Sequence, residues 1–213
     1  MTYLTHRQQL CVHRFLLDLH AAGTVERLRT CVPTGLGRLI DSDRASFNEL
    51  TPGSVVPSPV PSWWARFGDV YQHHLWDHPV WRSPRLHHVV GFDDPEHRTA
   101  WQGTALYQHY FIPLNIHHQI SSVVYRGATI IGLALNRSTQ SFSTFDRQLL
   151  RLLSPHIGRA WENALALAAA RAAPGPSERA RGVHQAVALT VTRPARQLVN
   201  LAADGAHLLQ QFF

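Results

Sequence analysis

Lysine is missing from this chain of 213 residues: all 20 basic residues are arginine. Without lysine there is no Schiff-base amine, no pyridoxal phosphate anchor, no Ser-Lys dyad and no phosphate loop of the GxxxxGK[ST] type. Cysteine is almost as scarce. Cys11 and Cys31 are too few for a disulfide framework or a cysteine-built zinc site, and Cys11, in an apolar helical setting, reads as a buried thiol. Long apolar runs are absent too: none approaches the roughly 18 residues of a membrane span. The N-terminus MTYLTHRQQLCVHRF is too polar for a secretory signal. The expectation is no membrane partner and a cytoplasmic location. Nor is there a block of positive charge. The net +6 divides into 15 Arg against 12 acids over 1–170 and 5 Arg against 2 over 171–213, so each part carries +3. A phosphate-tracking surface would show a basic cluster, and none is present.

Histidine is what the chain has in excess, 15 copies with adjacent pairs at His73/His74, His87/His88 and His117/His118. Histidine ligates metals and moves protons near neutrality. Its placement here argues otherwise. His6, His13 and His20 are seven apart and form a solvated stripe on one helix, no HExxH or Cys/His spacing occurs, and adjacent histidines in a strand point to opposite faces. The reading favoured is no metal and no cofactor, with haem or metal held through His78 or His118 as the alternative.

Along the chain, residues 4–30 show helical spacing, with Gly23 as an end or break, and a second short helix covers Val32 to Ile40. RASFNEL alternates like a strand, and TPGSVVPSPVPS is a turn-rich connection with an edge strand at most. Trp63 to Trp76 returns to helix and RLHHVVGF reads as a strand. DPEHRTAWQGTALYQHYF reads as a helix capped by Asp94 with Gly103 as a weak point. NIHHQISSVVY and ATIIGLALNR form a hairpin. A long amphipathic helix begins near Ser143 and is bent or interrupted near Pro155. The sum is an α+β domain, an antiparallel sheet covered by helices.

The blocks ASFNEL, DHPV, RTALYQHYFIPLNIHHQI, GLALNRS and FSTFDRQLLRLLSPHIGRAWENA, in this order, resemble the GAF-like sensor domain of LuxR-type transcriptional regulators. The resemblance covers about residues 10–170. It implies a six-stranded antiparallel sheet with helices packed on one side. It also implies a cavity between the other face and the crossing helices and loops, which in such domains often holds a small molecule. VTRPARQLVNLAADG, residues 191–205, is similar to the LTPREREVLxLxADG pattern that opens the family's helix-turn-helix. Pro194 and Ala195 depart from it, and the chain runs only eight residues past Gly205, where two crossing helices need roughly 20 or more. The expected division is a GAF-like sensor domain over 1–170, a linker over 171–183 and a truncated helix-turn-helix remnant over 184–213. No direct DNA binding is expected from this chain alone. The expected partners are an unknown small-molecule ligand and, for the protein itself, a second copy or a full-length relative.

The resemblance makes the aromatic and polar residues beside the sheet the candidate ligand site. Phe47, Trp76, Trp81, Trp101, Tyr107, Tyr110 and Phe111 supply apolar walls, and His78, His118, Gln119 and Ser121 supply directional contacts. Core packing is the competing reading for the tryptophans. For His78, before Pro79 in a turn, ligand contact and structural capping are both open. Strand alternation groups His118 with Ile120 and Val124, and Gln119 with Ser121 and Val123, without saying which set faces the helices. As a catalyst the chain offers His78, His118 and Glu49 as acid/base candidates and Asp77 as an orienting partner. No nucleophile-base-orienter spacing supports them, and the GxSxG elbow is missing. The function these observations imply is small-molecule sensing, with an enzymatic or haem/metal-binding pocket as the alternative and no catalytic residues assigned.

Overall fold

Thr5 opens the first helix. Its hydroxyl accepts from the Gln8 N–H and the Gln8 side chain returns to the Thr5 N–H, a capping box, and α1 (His6–His20) follows. Gly23, at φ +64°, turns the chain, and Thr24 caps α2 (Val25–Leu39) by accepting from the Arg27 N–H. The break between the helices therefore falls at the glycine, which alone takes a left-handed conformation without a Cβ penalty, and not near residue 30. α1 buries Val12, Phe15 and Leu19. Cys11 is exposed, contrary to expectation, because it lies one helical step off that stripe.

The computed structural model of the protein describes residues 4–83 and 85–172. The chain divides into the units Met1–Arg171 and Ala172–Phe213. The expected remnant over 184–213, and the expected linker beyond residue 172, lie outside the described residues. Among the described residues no helix is long and apolar enough to cross a membrane.

Five strands form one open sheet: β1 (Arg44–Thr51), β2 (Ser54–Ser58), β3 (Val89–Gly91), β4 (His118–Arg126) and β5 (Ile130–Arg137), in the order β2-β1-β5-β4-β3 with every neighbour antiparallel. The α+β architecture is as expected, with one strand fewer among the described residues than the resemblance implies. RLHHVVGF contributes only Val89–Gly91, because His87 adopts φ +63° and its N–H is spent on the Val123 carbonyl.

One sheet face carries Phe47, Ile120, Val124, Ile131, Leu133 and Leu135. It packs on the buried stripes of α1, α2 and the 29-residue helix α6 (Thr144–Ala172). Ser143 caps α6 with Asp146, and the helix passes Pro155 without interruption. The other face is crossed by α3 (Trp64–His73), a 3₁₀ turn at Leu75–Asp77, α4 (Pro79–Arg82), α5 (Arg98–Gln102) and a π-helical turn at Tyr107–Phe111. A single helix from Asp94 was expected here. The Asp94 carboxylate instead accepts from the Gly91 N–H and from Arg147. Thr104 then ends α5 by donating to the Trp101 carbonyl while accepting from the Tyr107 N–H, so the chain restarts as the π turn. The wider turn, closed by i→i+5 hydrogen bonds such as Ile112 N–H to the Tyr107 carbonyl, brings Tyr107, Tyr110 and Phe111 to the buried side together.

Candidate ligand-binding site

Strand register makes the hollow. Across β1, β5 and β4 the second sheet face presents three rows: Arg44–Asn136–Gln119, Ser46–Ala134–Ser121 and Asn48–Gly132–Val123. The same strands place Phe47–Leu133–Ser122 and Ala45–Leu135–Ile120 on the opposite face. Large aliphatic and aromatic groups thus fill one side, whereas the other has small and amide side chains that stop short of the elements above it. The result is a cavity of about 320 Å³. Its floor is Ser46, Asn48, Ala134, Asn136 and Gln119; its roof is Trp64 and Tyr71 of α3 with Tyr110 and Phe111 of the π turn; its mouth is Trp63, Arg44 and the prolines 57, 59 and 61. Aromatic packing holds the roof, with Tyr71 and Tyr110 edge to face at 4.9 Å and Trp64 against Tyr71 at 5.9 Å. Arg44 stacks 4.3 Å over the Trp63 ring and donates to the Leu114 carbonyl at 3.2 Å.

His78 stands beside the cavity, on the same side of the sheet, against Gln119 and Phe111. It is 1% exposed and surrounded by Trp101, Phe92 and Phe111 at ring separations of 5.2–5.8 Å. Its Nδ1 accepts the Val80 N–H at 3.2 Å, which caps α4, and its Nε2–H donates to Gln119 Oε1 at 2.6 Å. Gln119 Nε2 in turn donates to Asn136 Oδ1 at 2.7 Å. Burial pushes the imidazole pKa down to about 4, only partly offset by the Gln119 hydrogen bond. With both nitrogens engaged, His78 has none to offer a metal or haem iron without giving up one of these bonds. Tyr71 accepts the Trp81 indole N–H at 3.3 Å, and its burial raises the phenol pKa.

Of the eleven residues expected at the ligand site, Tyr110, Phe111 and Gln119 line the cavity. His78 and Trp81 support it, through Gln119 and Tyr71 respectively. The other six lie elsewhere. Trp101 packs on His78 and Phe92. Phe47 faces α6, 5.3 Å from Trp161, on the opposite side of the sheet. Trp76 is 58% exposed on the 3₁₀ turn. Tyr107 packs on Trp101 and Phe92. Ser121 donates to the Val90 carbonyl within the sheet. His118 pairs with Asp93 at 2.9 Å and Ser141 at 3.1 Å. Asn136, Ser46, Trp63, Trp64 and Tyr71 were not anticipated. The small-polar alternation Gly132, Ala134, Asn136 in GLALNR was the available signal for the floor, but only the register shows what it faces.

The acid/base candidates are committed elsewhere. Glu49 forms a two-point ion pair with Arg29 of α2, and Asp77 lies between His74 and Arg82. The Ser141, His118 and Asp93 group has the composition of a triad without its geometry. Ser141 and Asp93 both meet His118 at Nδ1, and Ser141 donates directly to Asp93 at 3.0 Å, so the imidazole is not placed to pass a proton between them. A second cleft of about 360 Å³ lies beside Asp77, His88, Glu96 and His97. Near it the ligand atoms of Asp94, Glu96 and His97 approach within 4.8 Å of one another. Asp94 there is neutralised by Arg147, and His97 Nε2 is 2.9 Å from the Gly91 carbonyl.

No protein-family model matches the chain, nor does any curated protein sequence. Among solved structures, the fold is similar to the ligand-binding domain of VqsR from Pseudomonas aeruginosa (TM-score 0.58, 17% identity, 73% of this chain and 97% of that one). It is also similar to CepR2 from Burkholderia cenocepacia, an N-acylhomoserine lactone dependent LuxR family transcription factor (TM-score 0.54, 18% identity, 76% of this chain and 99% of that one). Escherichia coli SdiA in complex with octanoyl-rac-glycerol matches with a TM-score of 0.50 and 16% identity over 78% of this chain and 68% of that one. The fold is that of LuxR-family ligand-binding domains.

Proposed function

We propose that this chain is a small-molecule-sensing domain of a LuxR-type transcriptional regulator, and that the hollow under Tyr71 and Tyr110 is where the ligand binds. The observation that carries the proposal is the asymmetry of the sheet. One face is filled by aliphatic side chains, while the other ends in small and amide groups under an aromatic roof, leaving about 320 Å³, within the usual range for a small-molecule site. The likeness in fold to a domain dependent on acylhomoserine lactone and to one complexed with an acylglycerol supports the reading. It also suggests acylated small molecules as the first to try.

Thermal unfolding across a panel of acylhomoserine lactones, acylglycerols and aromatic metabolites tests it. A ligand at 100 times its Kd adds about 2.7 kcal/mol to the folded state, so a hit raises Tm by several degrees. Ala134→Phe, which fills the floor, should remove that rise while leaving the fold intact. A panel that moves neither protein, or a hit that Ala134→Phe still binds, would place the function elsewhere.

A further inference from the structure

The hydrogen bonds beside the cavity run in one direction. A backbone N–H only donates, so Nδ1 of His78, which takes the Val80 N–H at 3.2 Å, is the unprotonated ring nitrogen. In the neutral ring the proton then sits on Nε2 and is donated to Gln119 at 2.6 Å, so the atom facing it is the amide oxygen. That turns the Gln119 amide nitrogen toward Asn136, where it donates to Oδ1 at 2.7 Å. Asn136 has its oxygen occupied, and its Nδ2 makes no hydrogen bond to any described residue on the floor of the cavity. An amide is ordinarily free to flip, since its oxygen and nitrogen are nearly isosteric. Here a single peptide proton, relayed through an imidazole and one amide, decides which end of Asn136 the cavity sees.

Two other polar groups in the lining, Tyr71 and Arg44, have the same sign, whereas Asn48 on the far row of the floor donates its Nδ2 to Ser46 and keeps its amide oxygen as an acceptor. The Trp81 indole is a donor only, so Tyr71, which accepts from it at 3.3 Å, keeps its own proton to give. Arg44 is likewise donor only, and no carboxylate stands among the described residues of the lining. We infer that His78 is a positioning residue which, through Gln119, sets the hydrogen-bond polarity of the cavity, and that the ligand presents a carbonyl-type oxygen acceptor to Asn136 and Tyr71. This rests on the sensing function proposed above and assigns its ligand class.

The test has two arms, both on the full chain. In the first, the protein is labelled with ¹⁵N-histidine and the His78 signal is assigned by its loss in His78→Phe. The expected result at neutral pH is the Nε2–H tautomer; an Nδ1–H tautomer or an imidazolium overturns the relay. In the second, calorimetry compares octanoyl-rac-glycerol with 1-O-octylglycerol, which has the same chain but lacks the carbonyl. Wild type should prefer the ester by about tenfold. Asn136→Asp keeps the shape and replaces the donor by an acceptor, so it should abolish the preference. His78→Phe, verified as folded by circular dichroism, should bring the ester down to the affinity of the ether without weakening the ether. Equal binding of the two probes by wild type, or an unchanged preference in Asn136→Asp, overturns the assignment. If neither probe binds, the ligand class is wrong, and the tautomer alone decides the relay. The sensing function itself fails only if the whole metabolite panel also leaves Tm unmoved.

Discussion

Trp81 occupies the side-chain space of Gly132: a Cβ at that position would stand 2.6 Å from Cη2 and 3.0 Å from Cζ3 of the indole. The ring is 4% exposed and its N–H is held by Tyr71, so it does not swing away without releasing the cavity roof. Gly132→Ala is therefore expected to lower stability by about 1–3 kcal/mol and to weaken any ligand that uses the Tyr71 hydroxyl. Trp81→Phe, which trims the clashing ring, should recover part of the loss. A double-mutant cycle by urea denaturation should give a coupling of at least about 0.5 kcal/mol, and strictly additive effects would show that the two residues do not meet.

The buried imidazole makes stability depend on pH in a known direction. In the fold burial pushes the His78 pKa down to about 4, from the ordinary imidazole value of 6.5. Between these values the unfolded chain binds a proton that the folded chain refuses, so stability falls as pH drops from 6.5 toward 4 and is indifferent to His78 above 6.5. The loss is on the order of 3 kcal/mol. His78→Phe should flatten this limb of a Tm-against-pH curve, whatever its stability at pH 7. A wild-type curve of unchanged slope in the variant would show that the acid limb belongs to other groups.

Two aromatic residues expected in one site should separate cleanly. Phe47 is fully buried between the sheet and Trp161 on the face away from the cavity. Phe47→Ala should cost about 3–5 kcal/mol while leaving the Kd of the remaining folded protein unchanged. Trp76 is 58% exposed, and Trp76→Ala should stay within about 0.5 kcal/mol of wild type with no effect on ligand. A loss of ligand affinity in either variant, measured by titration of folded protein, would return that residue to the site.

What the sequence revealed and what it hid follow from the range of the forces involved. Strand alternation in RASFNEL and the closeness of NIHHQISSVVY to ATIIGLALNR are local, and β1 and the β4–β5 hairpin were legible from them. Alternation splits a strand into two sets without naming the buried partner of each. Phe47 was therefore assigned to the cavity when its neighbour Ser46 is the one that lines it. Asn136 was invisible for the same reason: its role comes from lying between Arg44 and Gln119 in the sheet, residues 92 positions away and 17 positions away in the chain. The expected helix from Asp94 failed for a different cause, since the carboxylate that would cap it is taken by Arg147, 53 residues later. The sequence around His78 is compatible with both ligand contact and capping, and in the fold His78 caps α4.

A last prediction sets a local preference against a tertiary contact. Gly158 lies in the middle of α6, where replacing glycine by alanine ordinarily stabilises a helix by about 1 kcal/mol. Its hydrogen faces β4, and a Cβ there would run into the Val124 carbonyl oxygen, with His87 Cε1 at 3.2 Å. Val124 lies at the register shift of β4, beside the Val123 carbonyl that holds the His87 N–H at 2.8 Å. The nearest obstacle is thus the Val124 backbone, which does not yield like a side-chain tip, so α6 has to move off the sheet. Gly158→Ala is expected to destabilise by about 1–3 kcal/mol, read as a lower urea midpoint at an unchanged m-value. A raised midpoint would mean that helix propensity wins and that α6 does not sit against β4 as closely as this.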